Sequence, residues 1–193
     1  MRIGKAEKGS QYLLQKYVSG KQELLNQLLV SSSPTLLSFL DEHTDIEWCS
    51  PIAENGYYEY RDDFLTPYFQ NEPEQQAALI KIRNYWPKNG PQWDGIAVIT
   101  NGNISKGLIL VESKANISET YSKMKASSEV SRDLIEKTLT DTQKLFGSQS
   151  SLEAWTEEFY QLGNRLALLH LLNNELKIPT WLALVNFTDD TSH

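Results

Sequence analysis

Asp94, Glu112 and Lys114 are the residues of this chain whose types and spacing best suit chemistry. Glu112 and Lys114 stand two apart at the end of the apolar run Leu108-Ile109-Leu110-Val111, and Asp94 stands just before a second apolar run, Ile96-Ala97-Val98-Ile99. Side chains alternate along a strand, so Glu112 and Lys114 share a face while Ser113 points away. Asn101-Gly102-Asn103 lies between the runs and favours the positive φ angles of a hairpin turn. Folding about that turn sets Asp94 opposite Glu112. Two carboxylates and an ammonium then converge, a cradle for a hard divalent cation with a lysine beside it to hold or deprotonate a water. On spacing alone the bland alternative stays open: Asp94 could cap a turn into its strand, and Lys114 could be a solvated strand end.

The elements that must position these residues follow from periodicity. Before the hairpin, the first forty residues read as amphipathic helices, with Tyr12, Leu13 and Tyr17, then Leu24, Leu25, Leu28 and Leu29, then Leu36, Leu37 and Leu40 after Pro34. The stretch Asp45 to Pro51 reads as an irregular lead-in, and residues 53–65, rich in tyrosine, as a helix. Glu72-Pro73-Glu74 supplies acidic first-turn residues and a proline for a helix running through Arg83. Beyond the hairpin, Asn116 to Ser128 reads as loop with a short helix, and Val130, Leu134, Ile135 and Leu139 mark a further helix. Residues 152–174 carry the strongest helical pattern, with Leu162, Leu166 and Leu169 expected to pack inward. Gln161 and Arg165, four apart, would share a polar face. Trp181 to Phe187 reads as a buried final strand, from which Asp189-Asp190 would lead into solvent. Helices, hairpin, helices and strand in that order predict an α/β fold with a central mixed sheet of four or more strands, its last strand arriving by a helical crossover.

Composition narrows the function. The 193 residues suit a single domain, divided into an N-terminal helical extension over 1–44 and a core over 45–190. No run approaches the ~18 apolar residues of a membrane span, and the start of the chain lacks the apolar stretch of a signal peptide, so the expected address is the cytoplasm. Cys49 is the only cysteine, which excludes an intramolecular disulfide and a cysteine-rich zinc site and suggests a small buried residue. His43, His170 and His193 show no metal-ligand spacing, and neither a nucleophile elbow nor a glycine-rich phosphate loop is present. The net charge of −7 disfavours indiscriminate attraction to a polyanion. It leaves room for an enzyme whose acids surround a cation. Tyr57, Tyr58, Tyr60 and Trp86 could stack on bases, although such a cluster before a sheet is more often core.

With its Asp at the head of one strand and Glu-Ser-Lys on the hairpin partner, the chain resembles the PD-(D/E)XK nuclease superfamily, the restriction endonuclease-like fold. The runs Trp86-Pro87, Gly90-Pro91-Gln92-Trp93-Asp94, Val111-Glu112-Ser113-Lys114-Ala115 and Tyr160 to Ala167 look like a poorly characterised bacterial branch of it. The likeness runs from about Trp48 to Asp190, and Trp93 stands where the superfamily's name places a proline. That resemblance implies a metal-dependent phosphodiesterase that hydrolyses nucleic acid, most often DNA, with a metal-activated water. Asp94, Glu112 and the Ser113 carbonyl would bind Mg²⁺ or Mn²⁺, and Lys114 would orient the water and stabilise charge on the scissile phosphate. A glutamate from the first core helix often joins such sites: Glu59 is the first choice and Glu74 the competitor. Gln161 and Arg165, with Asn164 and Tyr160 behind them, would contact the substrate or, equally, only clip their helix to neighbouring backbone. The alternative function is a catalytically silent member of the fold that binds a protein or a nucleic acid.

Overall fold

Apolar residues at every position of two consecutive runs can be buried only in a sheet covered on both faces. The computed structural model, which describes residues 4–188, has that arrangement. Strands β1 (Thr44–Ser50), β2 (Gly95–Asn101) and β3 (Ile104–Lys114) form an antiparallel meander, and β4 (Thr180–Asn186) joins β3 in parallel, in the order β1-β2-β3-β4. Ala97, Ile99, Ile109 and Val111 face one layer of helices, α1 (Gly9–Gly20), α2 (Gln22–Ser32) and α3 (Pro34–Phe39), through Leu14, Val18, Leu25, Leu29 and Leu36. Ile96, Val98, Leu108 and Leu110 face the other layer, α4 (Glu72–Tyr85), α5 (Glu129–Leu145) and α6 (Tyr160–His170), through Ala78, Ile82, Ile135, Leu139, Ala167 and Leu168. The protein is thus mixed α/β, a four-stranded mixed sheet flanked by helices. A parallel join needs a long crossover, which α5 and α6 provide.

Local chemistry explains where the elements begin. The Asn71 side chain accepts from the Glu74 amide at 3.0 Å, and Pro73 sits in the first turn of α4, where its missing N–H costs nothing. Gly95 opens β2 because a Cβ there would meet Trp48 at 3.1 Å, the Ser50 carbonyl at 3.2 Å and Leu14 at 3.3 Å. That close approach of α1 and β1 fixes the strand directly beside Asp94.

Three expectations from the sequence need correction. The irregular lead-in at Asp45 to Pro51 is strand β1, which pairs with the otherwise free edge of β2 and alternates outward Asp45 and Glu47 with inward Ile46 and Trp48. Residues 53–65 are not a helix: one 3₁₀ turn at Ala53–Asn55 ends where Gly56 (φ 62°) and Tyr57 (φ 56°) reverse the chain. The Asp62 and Asp63 side chains then take backbone amides of Asn89, Gly90 and Arg61 into loop structure. The long helix over 152–174 is broken into a π turn at Ala154–Glu158, α6, and a second π turn at Leu171–Glu175. The extended segment at 122–124 breaks it, with Ser122 and Met124 amides donating to the Glu158 and Thr156 carbonyls, each at 2.7 Å. The break also turns α6, so Gly163, Ala167 and Leu168 are buried, Leu166 and Leu169 only partly, and Leu162 is exposed.

Cys49 is half-buried rather than fully so, and burial, followed by the charge of Glu47, pushes its thiol up to about 11. Among the described residues no helix is long and apolar enough to cross a membrane. Asp189 and Asp190 lie outside the described residues.

Candidate active site

A cleft of about 880 Å³ opens at the end of β3 where it leaves the sheet, and Asp94, Glu112, Ser113, Lys114, Glu59, Tyr160, Gln161, Asn164 and Arg165 all line it, while Glu74 does not. The hairpin register pairs Gly95 with Val111 and Ile96 with Leu110, which carries Asp94 to the level of Glu112. Asp94 precedes the first paired residue of β2, and its side chain reaches across the end of β3. Its Oδ2 accepts from the Ser113 amide at 2.7 Å and from the Ser113 hydroxyl at 3.0 Å. Ser113 therefore does not simply turn away from the site; its buried hydroxyl helps to anchor the aspartate.

Glu112 is gripped from both sides. Lys114 Nζ donates to Oε1, and Arg165 donates to Oε2 from Nε at 2.9 Å and from Nη2 at 2.5 Å. Arg165 comes from α6, is only 3 % exposed, and also donates to the Gln92 carbonyl and the Asn164 side chain, each at 2.7 Å. Its guanidinium lies 4.8 Å from the centre of the Trp93 ring, so Trp93 forms the floor under the arginine. Trp93 pays for this with a buried indole N–H that has no acceptor among the described residues. Gln161 accepts from Lys114 Nζ at 3.1 Å, and its own amide is held by the Ser122 hydroxyl at 2.8 Å. The segment that breaks the helix thus aims Gln161 at the lysine.

The two candidate glutamates part company. Glu74 lies on α4 in a separate groove with Tyr68, Asn71 and Lys81. Glu59, although on a loop and not a helix, reaches the cleft. The Ser50 hydroxyl donates to the Tyr58 carbonyl and the Trp93 amide to the Tyr60 carbonyl, at 2.7 and 2.8 Å, which ties Glu59 beside the start of β2. Its carboxylate accepts from Gln11 at 2.6 Å and from Gln92 at 2.5 Å. Burial, and then the charge of Glu112, raise its pKa against those hydrogen bonds. Burial first, and the nearby Glu112 second, push Asp94 up to about 7. Tyr160 is likewise raised by burial, to about 12, and so stays a neutral donor.

Sequence reasoning missed Gln11, Gln92 and Ser122 as supports of the site. Gln92 sits two residues before Asp94, which was a usable signal. Gln11 carried none, because its contact with Glu59 spans 48 residues. Compared with family models, with curated proteins and with solved structures, the chain matches none.

The donor chemistry suits a hard divalent cation. Asp94 Oδ1 lies outside the Ser113 hydrogen bonds, and burial together with the nearby Glu112 charge raises its pKa, a penalty on the ionised form that a bound cation would offset. Among the described residues no three His, Cys, Asp or Glu side chains converge as a ligand set. One or two carboxylates completed by substrate oxygens and water are the usual holding of Mg²⁺.

Proposed function

We propose that this chain is a metal-dependent phosphodiesterase of the PD-(D/E)XK type, with a restriction endonuclease-like core, acting on nucleic acid. The observation that carries the reading is the meeting of Asp94, Glu112 and Lys114, together with Glu59 and Gln161, in one cleft at the end of a single hairpin. Asp94 and Glu112 are the residues that would hold Mg²⁺ or Mn²⁺, which when bound would offset phosphate charge and acidify the attacking water. Lys114, held between Glu112 and Gln161, presents its ammonium where a scissile phosphate would gather charge. Arg165 acts as a positioning residue: it fixes Glu112 against the sheet and leaves Lys114 as the more exposed cation of the pair. Glu59 keeps Gln92 in place and adds negative charge beside Asp94.

A second reading has its own support. Both oxygens of Glu112 are already engaged by cations, as they would be in a silent binding module of this fold. Cleavage of single-stranded and duplex DNA with Mn²⁺ separates the two. Wild type should cut at least one form, and Asp94→Ala and Lys114→Ala should each lose activity by a hundredfold or more, roughly the ~2.7 kcal/mol of one electrostatic stabiliser. Cutting that persists in both variants would remove the proposed chemistry.

A further inference from the structure

A small apolar pocket of about 220 Å³ adjoins the cleft and shares Glu112, Lys114 and Gln161 with it, while Phe159, Leu162 and Leu184 form its other walls. These apolar side chains are 37 %, 38 % and 51 % exposed, so none is covered by the rest of the fold. The Tyr121 ring lies 5.5 Å from that of Phe159 at 33°, giving a near-continuous aromatic surface along the wall between cleft and pocket. The platform is braced: Ser122 pairs with Phe159, and the Tyr160 amide donates to the Ser122 carbonyl at 3.1 Å. Along the same extended segment, exposed Tyr121, Lys123 and Lys125 alternate with half-buried Ser122 and Met124. All three outward side chains line the cleft.

We propose that this pocket takes an unpaired nucleobase, so that the cleft selects single-stranded or frayed nucleic acid over intact duplex. The inference rests on the phosphodiesterase reading and names its substrate form. Three features choose this occupant. The pocket's polar wall includes Lys114, beside Glu112, Gln161, Thr120 and Asn186, so a group bound there is continuous with a phosphate at the lysine. Lys123 and Lys125 supply cations for flanking phosphates in a chain whose net charge is −7. The space is below the ~300 Å³ of an ordinary ligand pocket, and suits one flat ring system stacked on an aromatic. A paired base is stacked within its duplex and reaches such a pocket only after it is splayed out.

The test is fluorescence anisotropy in EDTA, with a short labelled oligonucleotide single-stranded and in blunt duplex. Single strand should bind about tenfold or more tighter than duplex, and Phe159→Ala should weaken the single strand by about tenfold, the scale of one lost stacking contact, while duplex binding stays unchanged. Leu184→Glu, at an exposed position of β4, should have the same effect without removing a buried group. One abasic position should reproduce the loss in a single register. Equal affinity for both forms, or wild-type affinity in both variants, overturns the proposal. So does a dimer that Phe159→Ala and Leu184→Glu both convert to monomer, which would make the pocket an interface between copies. Mn²⁺-dependent cutting of both forms alike, unaffected by the two variants, would sink the base pocket and keep the hydrolase. Base-dependent binding with no cutting would support the pocket and sink the hydrolase.

Discussion

On one side of the cleft Glu112 is held by the Lys114 ammonium and the fork of Arg165. On the other side, among the described residues, Asp94 and Glu59 accept hydrogen bonds from neutral groups, the amide and hydroxyl of Ser113 and the side-chain amides of Gln11 and Gln92. The first half sets one carboxylate against two cations; the second, among the described residues, sets two carboxylates against neutral donors in a poorly solvated place. The difference teaches where a cation would do most: at Asp94, where it relieves repulsion, rather than at Glu112, where it must compete.

The largest break in that comparison is Arg165→Ala. Removing Arg165 leaves the buried Glu112 to Lys114 alone and strips the Gln92 carbonyl and the Trp93 face of their partner, so the variant should lose up to about 3–5 kcal/mol of stability in urea unfolding. Next comes Asp94→Asn in EDTA. The folded protein holds the Asp94 proton up to about pH 7, whereas an unfolded aspartate releases it near ~3.9. Its contribution to stability is therefore full below about pH 4 and is lost as pH rises through about 7. The asparagine variant, whose side-chain carbonyl still accepts from Ser113, should flatten that slope and exceed wild type by a few kcal/mol at pH 8. A wild-type slope of the opposite sign would refute the charge imbalance.

A smaller effect sharpens the same contrast. Mn²⁺ at a hundredfold excess over its Kd should stabilise wild type by about 2.7 kcal/mol at pH 8, read as a rise in Tm, and leave Asp94→Ala unmoved. An equal rise in both would place the ion elsewhere. Least of all should be Lys123→Ala, whose ion pair with Glu157 is exposed at 3.7 Å: stability should change by less than about 0.5 kcal/mol. Its effect should appear instead in binding, where the salt dependence of nucleic-acid affinity should fall by about one counterion.

Much of this was legible along the chain, and the pattern of what was not is instructive. The hairpin could be read because both of its strands carry an unbroken apolar run and a turn signal lies between them, so the pairing of Asp94 with the Glu112 level is a local consequence. β1 could not, because Thr44–Ser50 is polar at every second position and becomes a strand only by pairing with β2, some fifty residues away. The loop carrying Glu59 has the composition of a helix but is held open by positive-φ residues and by aspartates that find amides from residue 89 onward. On α6 the periodicity was real and its phase was wrong, since a segment at 122–124 inserted itself into the preceding turn.

The sequence by itself determined the two-faced burial of β2 and β3, the α/β order, and the presence of an acid, an acid and a lysine at strand ends, because alternation and turn chemistry act over a few residues. Only the tertiary structure decided that Arg165 would occupy Glu112, that Glu59 and not Glu74 would reach the cleft, and that Tyr121 and Phe159 would meet beside Lys114. Those outcomes depend on where distant segments pack, and packing is settled by the whole core at once.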